Sequence, residues 1–203
     1  MRVVLATSNP AKLRELAALL SPLQIAVLPQ SDFTLASVDE TGLTFVENAI
    51  LKARHAALQS GLPAIADDSG LEVDALHGGP GIHSARFAGP ACSDAANLDK
   101  LLHELAAVPD QLRTARYRCA LVFLRSALDP SPIVCQASWE GELLRERRGT
   151  GGFGYDPIFR VAGLMVTAAE LPAAEKNRLS HRGQALRHLL KELVSVQLFH
   201  LPR

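Results

Sequence analysis

The N-terminal segment passes directly from a strand pattern into a helix start. Residues 3–6 form an apolar run that contains Val3 and Val4, two β-branched residues that favour a strand. Asn9 then offers a helix N-cap and Pro10 a favoured first helical residue, so a helix follows the strand with a short turn between them. We interpret this strand, turn and helix as the beginning of an α/β fold.

Later segments continue the alternation and then place strands side by side. Thr44 and Glu47 form a capping box, and Gly61 followed by a proline ends the helix that they begin. Further strands are predicted at 63–66, 116–125 and 133–143, and further helices at 45–60, at 93–107 and after Ser180. We predict an α/β fold with a mixed sheet, and a single domain over residues 1–203 because no linker interrupts the pattern.

Composition excludes several classes of partner. Lys plus Arg equals Asp plus Glu at 21 each, and this balance argues against non-specific binding to long nucleic acids, which needs a basic face. No apolar run approaches the roughly 20 residues of a membrane helix. The three cysteines show no CxxC spacing, which predicts reduced thiols in a cytoplasmic protein. A small anionic ligand held by a few local cations remains compatible with this balance.

The turn at 7–12 is a candidate anion site. A helix N-terminus favours negative charge, and Lys12 adds a full positive charge in the first turn. The alternative is an ordinary capped helix with a solvated lysine. Lys52, one turn after Asn48 on the predicted helix 45–60, is a second candidate cation or else another solvated lysine.

Three acids are candidate metal ligands. Glu40 lies in a polar turn, and Asp67 with Asp68 closes the predicted strand at 63–66. Because successive strand side chains point to opposite faces, the two aspartates are expected to have different roles. Mg²⁺ takes one or two carboxylates together with water and substrate phosphates. The alternative is that residues 67–70 form only a turn, which Asp, Ser and Gly all favour.

The glycine-rich loop at 149–156 presents two aromatic side chains. Glycines allow its backbone to approach a ligand closely, and Phe153 or Tyr155 could stack on a base. Alternatively, the aromatic rings fold back and anchor the loop. Further on, His181 and Arg182 occupy the first turn of the last helix, where basic residues oppose the dipole, which hints at function. A core or surface histidine is the other interpretation.

Six blocks carry a resemblance to a known family. They lie at 7–12 (TSNPAK), 40–49 (ETGLTFVENA), 66–71 (ADDSGL), 80–86 (PGIHSAR), 151–157 (GGFGYDP) and 180–183 (SHRG). Together, in this order, they resemble the inosine/xanthosine triphosphate pyrophosphatase family, whose members are also called dITP/XTP diphosphatases or non-standard purine NTP pyrophosphatases. The resemblance covers nearly the whole chain.

The resemblance implies a role for each matching position. Triphosphate binding would fall to Lys52 and to Thr7, Ser8, Asn9, Pro10, Ala11 and Lys12. Glu40 and Asp68 would hold Mg²⁺, and Asp68 would also accept the proton of the attacking water. The remaining substrate contacts would come from Ser69, Phe153, Gly154, Tyr155, Asp156, Lys176, His181 and Arg182.

The same resemblance implies an elongated mixed sheet with helices in two lobes around a central cleft, and a homodimer. The implied reaction converts ITP, dITP or XTP to the monophosphate and pyrophosphate. Two other functions stay open on the residues alone. One is a non-catalytic nucleotide sensor with the same pocket, although Glu40 and Asp68 are both present. The other is an enzyme acting on a different phosphoanhydride, such as a pyrimidine nucleotide.

Overall fold

Helices and strands alternate through residues 2–7, 9–20, 25–33 and 38–195, which the computed structural model describes. The strands are β1 (Arg2–Ala6), β2 (Ala26–Pro29), β3 (Ala64–Val73), β4 (Thr114–Leu124), β5 (Ile133–Leu143) and β6 (Phe159–Val161). The helices are α1 (Pro10–Leu20), α2 (Phe45–Ser60), α3 (Asp94–Glu104), α4 (Ala173–Leu179) and α5 (His181–Ser195). None of the described helices is both long and apolar enough to cross a membrane.

The six strands form one sheet in the order β2-β1-β3-β4-β5-β6. Strand β1 runs parallel to both β2 and β3, whereas β5 and β6 run antiparallel to each other. The sheet is therefore mixed. This confirms the predicted α/β class with a mixed sheet flanked by helices.

Contacts divide the chain into two compact units, and β3, β4 and β5 contribute residues to both. The first unit contains the described residues up to Asp68, Cys119–Ala137 and the described residues from Arg182 onward. The second unit contains Ser69–Arg118 and Ser138–His181. The assignment of residues 1–203 to one domain and the cleft between two lobes stay predictions.

The first unit has helices on both faces of its strands. Along β1, Val4 packs with Ala53 of α2 on one face. On the other face Leu5 packs with Leu16 of α1 and Leu189 of α5. Because side chains alternate along a strand, each strand residue is committed to one of these two helical layers. The same alternation decides where the acids of β3 point.

The second unit carries its core on one face of its strands and charges on the other. Tyr117 and Trp139 are buried against Leu98 of α3. On alternate positions of the same two strands, the Arg116 Nε lies 2.9 Å from Glu140 Oε2. Two-sided patterning of this kind fits strands with one buried and one solvated face.

Local capping signals set the bounds of α2. The Thr44 Oγ1 accepts a hydrogen bond from the Glu47 N–H at 3.2 Å, and Glu47 Oε2 accepts one from the Thr44 N–H at 2.9 Å. Gly61 ends the helix with φ at 67°, a left-handed conformation that glycine adopts without strain. The predicted helix at 45–60 is confirmed at both ends.

The prediction for β3 was wrong about where the strand ends. The strand does not stop before Asp67 but runs from Ala64 to Val73, so residues 67–70 are not a turn. Leu71 and Val73 are buried and restore the apolar pattern beyond the polar segment. The third helix also ends earlier than predicted, at Glu104. The short elements β2, β6 and α4 were not predicted.

Candidate active site

The turn before α1 is built around Asn9. Its Oδ1 accepts hydrogen bonds from the N–H groups of Ala11 at 2.9 Å and Lys12 at 3.2 Å. The Thr7 Oγ1 accepts one from the Asn9 N–H at 3.2 Å. The predicted N-cap is confirmed, but these two amides are bonded to the cap and are not free for an anion. Ser8 lies outside the described residues.

Lys12 belongs to a buried charge network on one face of β3. Its Nζ lies 3.0 Å from Asp67 Oδ2, and the Nε of Arg182 lies 3.4 Å from the same oxygen. The second carboxylate is Glu15 of α1, which pairs with the Arg182 guanidinium. Burial alone would raise the pKa of Asp67, but Lys12 and Arg182 hold that pKa well below its ordinary value. Asp67 is therefore an ionised counter-charge for two cations.

Asp68 points to the opposite face of β3, toward α2. Its Oδ1 lies 2.7 Å from Lys52 Nζ, which also lies 3.1 Å from Glu40 Oε1. Burial raises the pKa of Asp68, and the neighbouring Lys52 acts in the other direction. Asp67 and Asp68 therefore face different partners, as the alternation of side chains along a strand requires. That the two aspartates have different roles stays a prediction. The carboxylates of Glu40 and Asp68 therefore both lie within ion-pair distance of the Lys52 ammonium.

A fully buried amide joins Asp68 to the turn that carries Glu40. The Asn48 Oδ1 accepts a hydrogen bond from the Gly42 N–H at 2.8 Å, and its Nδ2 lies 3.5 Å from Asp68 Oδ2. A Cβ on Gly42 would lie 2.6 Å from the Cβ of Glu47, so only glycine fits this close approach. Asn48 thus holds the Gly42 turn against α2 and points its amide donor toward the Asp68 carboxylate.

The second unit contains a buried pair beneath the glycine-rich loop. The Lys176 Nζ lies 2.6 Å from Asp156 Oδ2, which also accepts a hydrogen bond from the Phe153 N–H at 2.8 Å. The same ammonium lies 4.8 Å from the centre of the half-buried Phe153 ring. Asp156 and Lys176 therefore hold Phe153 through its backbone and its ring face.

Tyr155 has a different environment from Phe153. Its ring is buried and its hydroxyl donates to the Ser84 carbonyl at 2.8 Å. For this residue the structure favours the alternative in which the aromatic side chain anchors the loop. The backbone of the preceding residue is also held, because the Gly154 N–H donates to Asp94 Oδ2 at 2.8 Å.

The adjacent residues His181 and Arg182 have different partners. The His181 imidazole stacks on Tyr117, with ring centres 4.8 Å apart and planes at 10°. Arg182 is buried against the carboxylates of Asp67 and Glu15. The family resemblance implies substrate contacts for both residues, whereas the structure places the imidazole against an aromatic ring and the guanidinium against carboxylates.

Comparison with known proteins decides the family. The family model described as the Ham1 family matches residues 3–192. The chain belongs to the Ham1 family.

Relatives of this Ham1-family chain match almost its whole length in sequence and in structure. It is 60% identical over 193 residues to the dITP/XTP pyrophosphatase of Thioalkalivibrio sulfidiphilus, covering 95% of this chain and 98% of that protein. It is 58% identical over 192 residues to the dITP/XTP pyrophosphatase of Escherichia coli K12, with the same two coverages. A HAM1 protein structure from Coxiella burnetii is similar with a TM-score of 0.89 and 50% identity, covering 96% of this chain and 99% of the other. The resemblance inferred from the six blocks is confirmed.

Three residues of the site were missed as functional candidates. Glu15 and Asn48 follow ordinary helical patterns, although Asn48 shares a helix face with Lys52, which is a weak signal. Tyr117 gives no local signal, because an aromatic residue on an apolar strand face is normal in a core. The half-buried Ser69 follows Asp68 in β3, and its contact with substrate stays a prediction.

The acids of this Ham1-family chain suit a small divalent cation. Glu40 and Asp68 both lie within ion-pair distance of the Lys52 ammonium, so they already share one centre of positive charge. Mg²⁺ needs only one or two carboxylates when water and phosphate oxygens supply the rest. In the described part of the chain, no group of three or more His, Cys, Asp or Glu side chains is placed to hold a metal. The two carboxylates are thus compatible with a Mg²⁺ site that substrate completes.

Proposed function

We propose that this Ham1-family chain hydrolyses ITP, dITP and XTP to the monophosphate and pyrophosphate, and so removes them from the nucleotide pool. Two proteins named dITP/XTP pyrophosphatase are 60% and 58% identical to it over 95% of its length. The observation that carries the proposal is the placement of two lysines at consecutive aspartates of β3. The two lysines provide positive charge for phosphates. Asp68, beside Lys52, is a carboxylate able to take a proton.

Lys12 and Lys52 would bind the triphosphate. Each is now paired with a carboxylate, Lys12 with Asp67 and Lys52 with Asp68 and Glu40. Incoming phosphate oxygens would share these ammonium groups, and the carboxylates would keep the lysines extended toward them. Positioning and charge neutralisation dominate phosphoryl transfer, because little covalent work falls on the protein.

Asp68 would act as the general base. Water forms a bond to the α-phosphorus, the bond from this phosphorus to the bridging oxygen breaks, and pyrophosphate leaves. The proton of the water passes to an Asp68 carboxylate oxygen. Lys52, 2.7 Å from Oδ1, keeps that carboxylate in place.

Mg²⁺ would be held by Glu40 and Asp68. When bound, it would neutralise charge on the phosphate oxygens. Asn48 would keep these two acids at a constant separation, since it bonds both the Gly42 backbone and Asp68. Assembly as a homodimer and location in the cytoplasm are proposed from the family resemblance and composition.

The base would be chosen by Phe153, His181 and Arg182. Phe153 offers a ring for stacking, worth about 1–3 kcal/mol per base. His181 offers an N–H donor for the 6-keto oxygen of hypoxanthine or xanthine. Adenine carries an amino group at that position, and an unpaired buried donor costs about 1–3 kcal/mol. The role of Arg182 in base binding, which the resemblance implies, is kept as part of this proposal.

A substrate panel tests the proposal. Pyrophosphate release is measured with Mg²⁺ for ITP, dITP, XTP, ATP and GTP. We expect kcat/KM for the first three to exceed that for ATP and GTP by at least about a hundredfold. Binding of ITP without turnover would instead indicate a nucleotide sensor. Preference for a pyrimidine triphosphate would indicate a different phosphoanhydride hydrolase.

The variant Asp68→Asn examines the role of the base. We expect turnover to fall by about 10²–10⁴-fold while ITP binding is largely kept. Asp110→Asn is the control, because Asp110 is an exposed carboxylate paired with Arg145 in the second unit. Near-normal turnover by Asp68→Asn would remove this residue as the base.

A further inference from the structure

Tyr117 connects His181 with the Phe153 loop, which are the two parts of the second unit proposed to recognise the base. It lies on the core face of β4, and its ring and hydroxyl have separate partners. The ring stacks on the His181 imidazole, while the hydroxyl donates to Asp156 Oδ1 at 3.1 Å.

The stack controls the direction of the imidazole donors. Ring stacking occupies the face of an imidazole and leaves its edge, where both nitrogens lie, available for hydrogen bonds. With the two planes only 10° apart, the plane of Tyr117 sets the plane in which a His181 N–H can donate. A hydrogen bond weakens steeply away from linearity, so rotation of this plane would weaken recognition of a keto oxygen.

The Tyr117 ring is itself held by other rings. Phe159 lies 4.7 Å away between ring centres at 51°, and Trp139 lies 6.3 Å away at 25°. These contacts, together with the hydrogen bond to Asp156, restrict the rotation of the tyrosine ring. Asp156 in turn bonds the Phe153 N–H and Lys176. The Tyr117 side chain therefore contacts the His181 imidazole directly and the Phe153 loop through Asp156.

We propose that Tyr117 is a positioning residue for purine recognition, which sets the plane of the His181 imidazole relative to the Phe153 loop. It does so mainly through its ring, and its hydroxyl adds a bond to Asp156. This inference rests on the proposed function, because it deepens the role given there to His181. A purely structural role for Tyr117 would predict loss of stability without a change in base selectivity.

Three variants separate these roles. Tyr117→Phe keeps the ring on His181 and removes only the hydroxyl. Tyr117→Leu removes the ring and leaves an apolar side chain. Phe123→Leu is the matched control, because Phe123 is a buried aromatic residue on the same strand that packs in the first unit.

The enzymatic measurement is the ratio of kcat/KM for ITP to that for ATP, together with Tm. For Tyr117→Leu we expect the ratio to fall by about tenfold or more, mainly through a higher KM for ITP. Tyr117→Phe should stay within about threefold of wild type, because it keeps the ring and loses only one hydrogen bond. Phe123→Leu should lower Tm and leave the ratio unchanged. A Tyr117→Leu ratio within about twofold of wild type would overturn the proposal.

A second measurement does not depend on turnover. The carbon-bound imidazole protons of His181 are followed by NMR, assigned by their loss in His181→Gln. Stacking shifts these protons by the ring current of Tyr117, so we expect them to move in Tyr117→Leu and to stay near wild type in Tyr117→Phe. Unmoved resonances in Tyr117→Leu would overturn the proposal. If wild type failed to hydrolyse any purine triphosphate, the proposed function would fail, and these resonances would still decide whether Tyr117 fixes the imidazole.

Discussion

Asp67 and Asp68 are neighbours in β3, and their carboxylates lie on opposite faces of the strand against lysines from two different helices. Asp67 is 3.0 Å from Lys12 of α1, and Asp68 is 2.7 Å from Lys52 of α2. Because side chains alternate along a strand, these two consecutive residues belong to two separate charge networks. One network is closed by Arg182, which α5 provides. The other also contains Glu40, and the proposed Mg²⁺ site is placed there.

Lys12 is expected to contact the phosphates rather than the base. Lys12→Ala should weaken binding of a non-hydrolysable ITP analogue by about tenfold or more, because hydrogen bonds to charged groups contribute about 1.5–3 kcal/mol. Binding of IMP should weaken less. Both are measured as inhibition constants against the hydrolysis of XTP.

Lys100→Ala is the control for Lys12, since Lys100 belongs to α3 in the second unit and pairs there with Glu104. It should leave both inhibition constants unchanged. Equal losses for the triphosphate analogue and for IMP in Lys12→Ala would place Lys12 away from the outer phosphates.

The variant Asn48→Asp separates two functions of one side chain. A carboxylate can still accept from the Gly42 N–H, but it places an acceptor where a donor faced Asp68. We expect the fold to be kept and kcat to fall by about tenfold or more, because the base would lose its orientation and face a like charge. The measurements are kcat, Tm and the circular dichroism spectrum.

Asn97→Asp is a matched control for Asn48→Asp. Asn97 is also a buried helical asparagine that accepts from a loop amide, the Ala88 N–H at 2.7 Å, and donates to a carbonyl, that of Ala85. Both variants bury a carboxylate, so each should keep the fold with a similar decrease in Tm, but Asn97→Asp should change kcat little. A normal kcat in Asn48→Asp would show that the donor facing Asp68 is not needed.

Much of the local structure could be predicted because its signals are local. Thr44, Glu47 and Gly61 fix the bounds of α2 within a few residues of the chain, and Asn9 does the same for the start of α1. The placement of Asp67 and Asp68 on opposite faces also followed from strand geometry alone.

The remaining features depend on residues that are far apart in the sequence. Residues 67–70 favour a turn locally because Asp, Ser and Gly are common in turns. In the fold, the charges of Asp67 and Asp68 are offset by Lys12, Lys52 and Arg182. The strand can therefore continue where local propensity favours a break. The placement of Arg182 between carboxylates could not be predicted for the same reason. No pattern along the chain shows which acids a first-turn arginine will meet.

The connection between β4 and β5 gives a stability prediction. Two hydrogen bonds from the Arg125 guanidinium, with the backbone N–H groups of Arg125 and Ser131, hold the pKa of the buried Asp129 well below its ordinary value. Asp129→Asn should lower the free energy of unfolding by about 1 kcal/mol near pH 7, because these charge-assisted bonds are weakened.

The pH dependence of that difference has a definite sign. A carboxyl group whose pKa is depressed by folding stabilises the protein above its unfolded pKa, and this stabilisation is lost as the pH falls further. The difference between wild type and Asp129→Asn should therefore shrink below about pH 4. Urea unfolding between about pH 3 and 7 measures it. Asp99→Asn, an exposed carboxylate in α3, serves as the control. A difference that grew on acidification would contradict the assignment.

The position of water attack tests the central claim most directly. Hydrolysis of dITP in ¹⁸O-labelled water, with products followed by ³¹P NMR and mass spectrometry, shows which phosphorus receives the water oxygen. The account predicts dIMP and pyrophosphate in equal amounts, with the label in dIMP. Orthophosphate with dIDP, or label found in pyrophosphate, would contradict it.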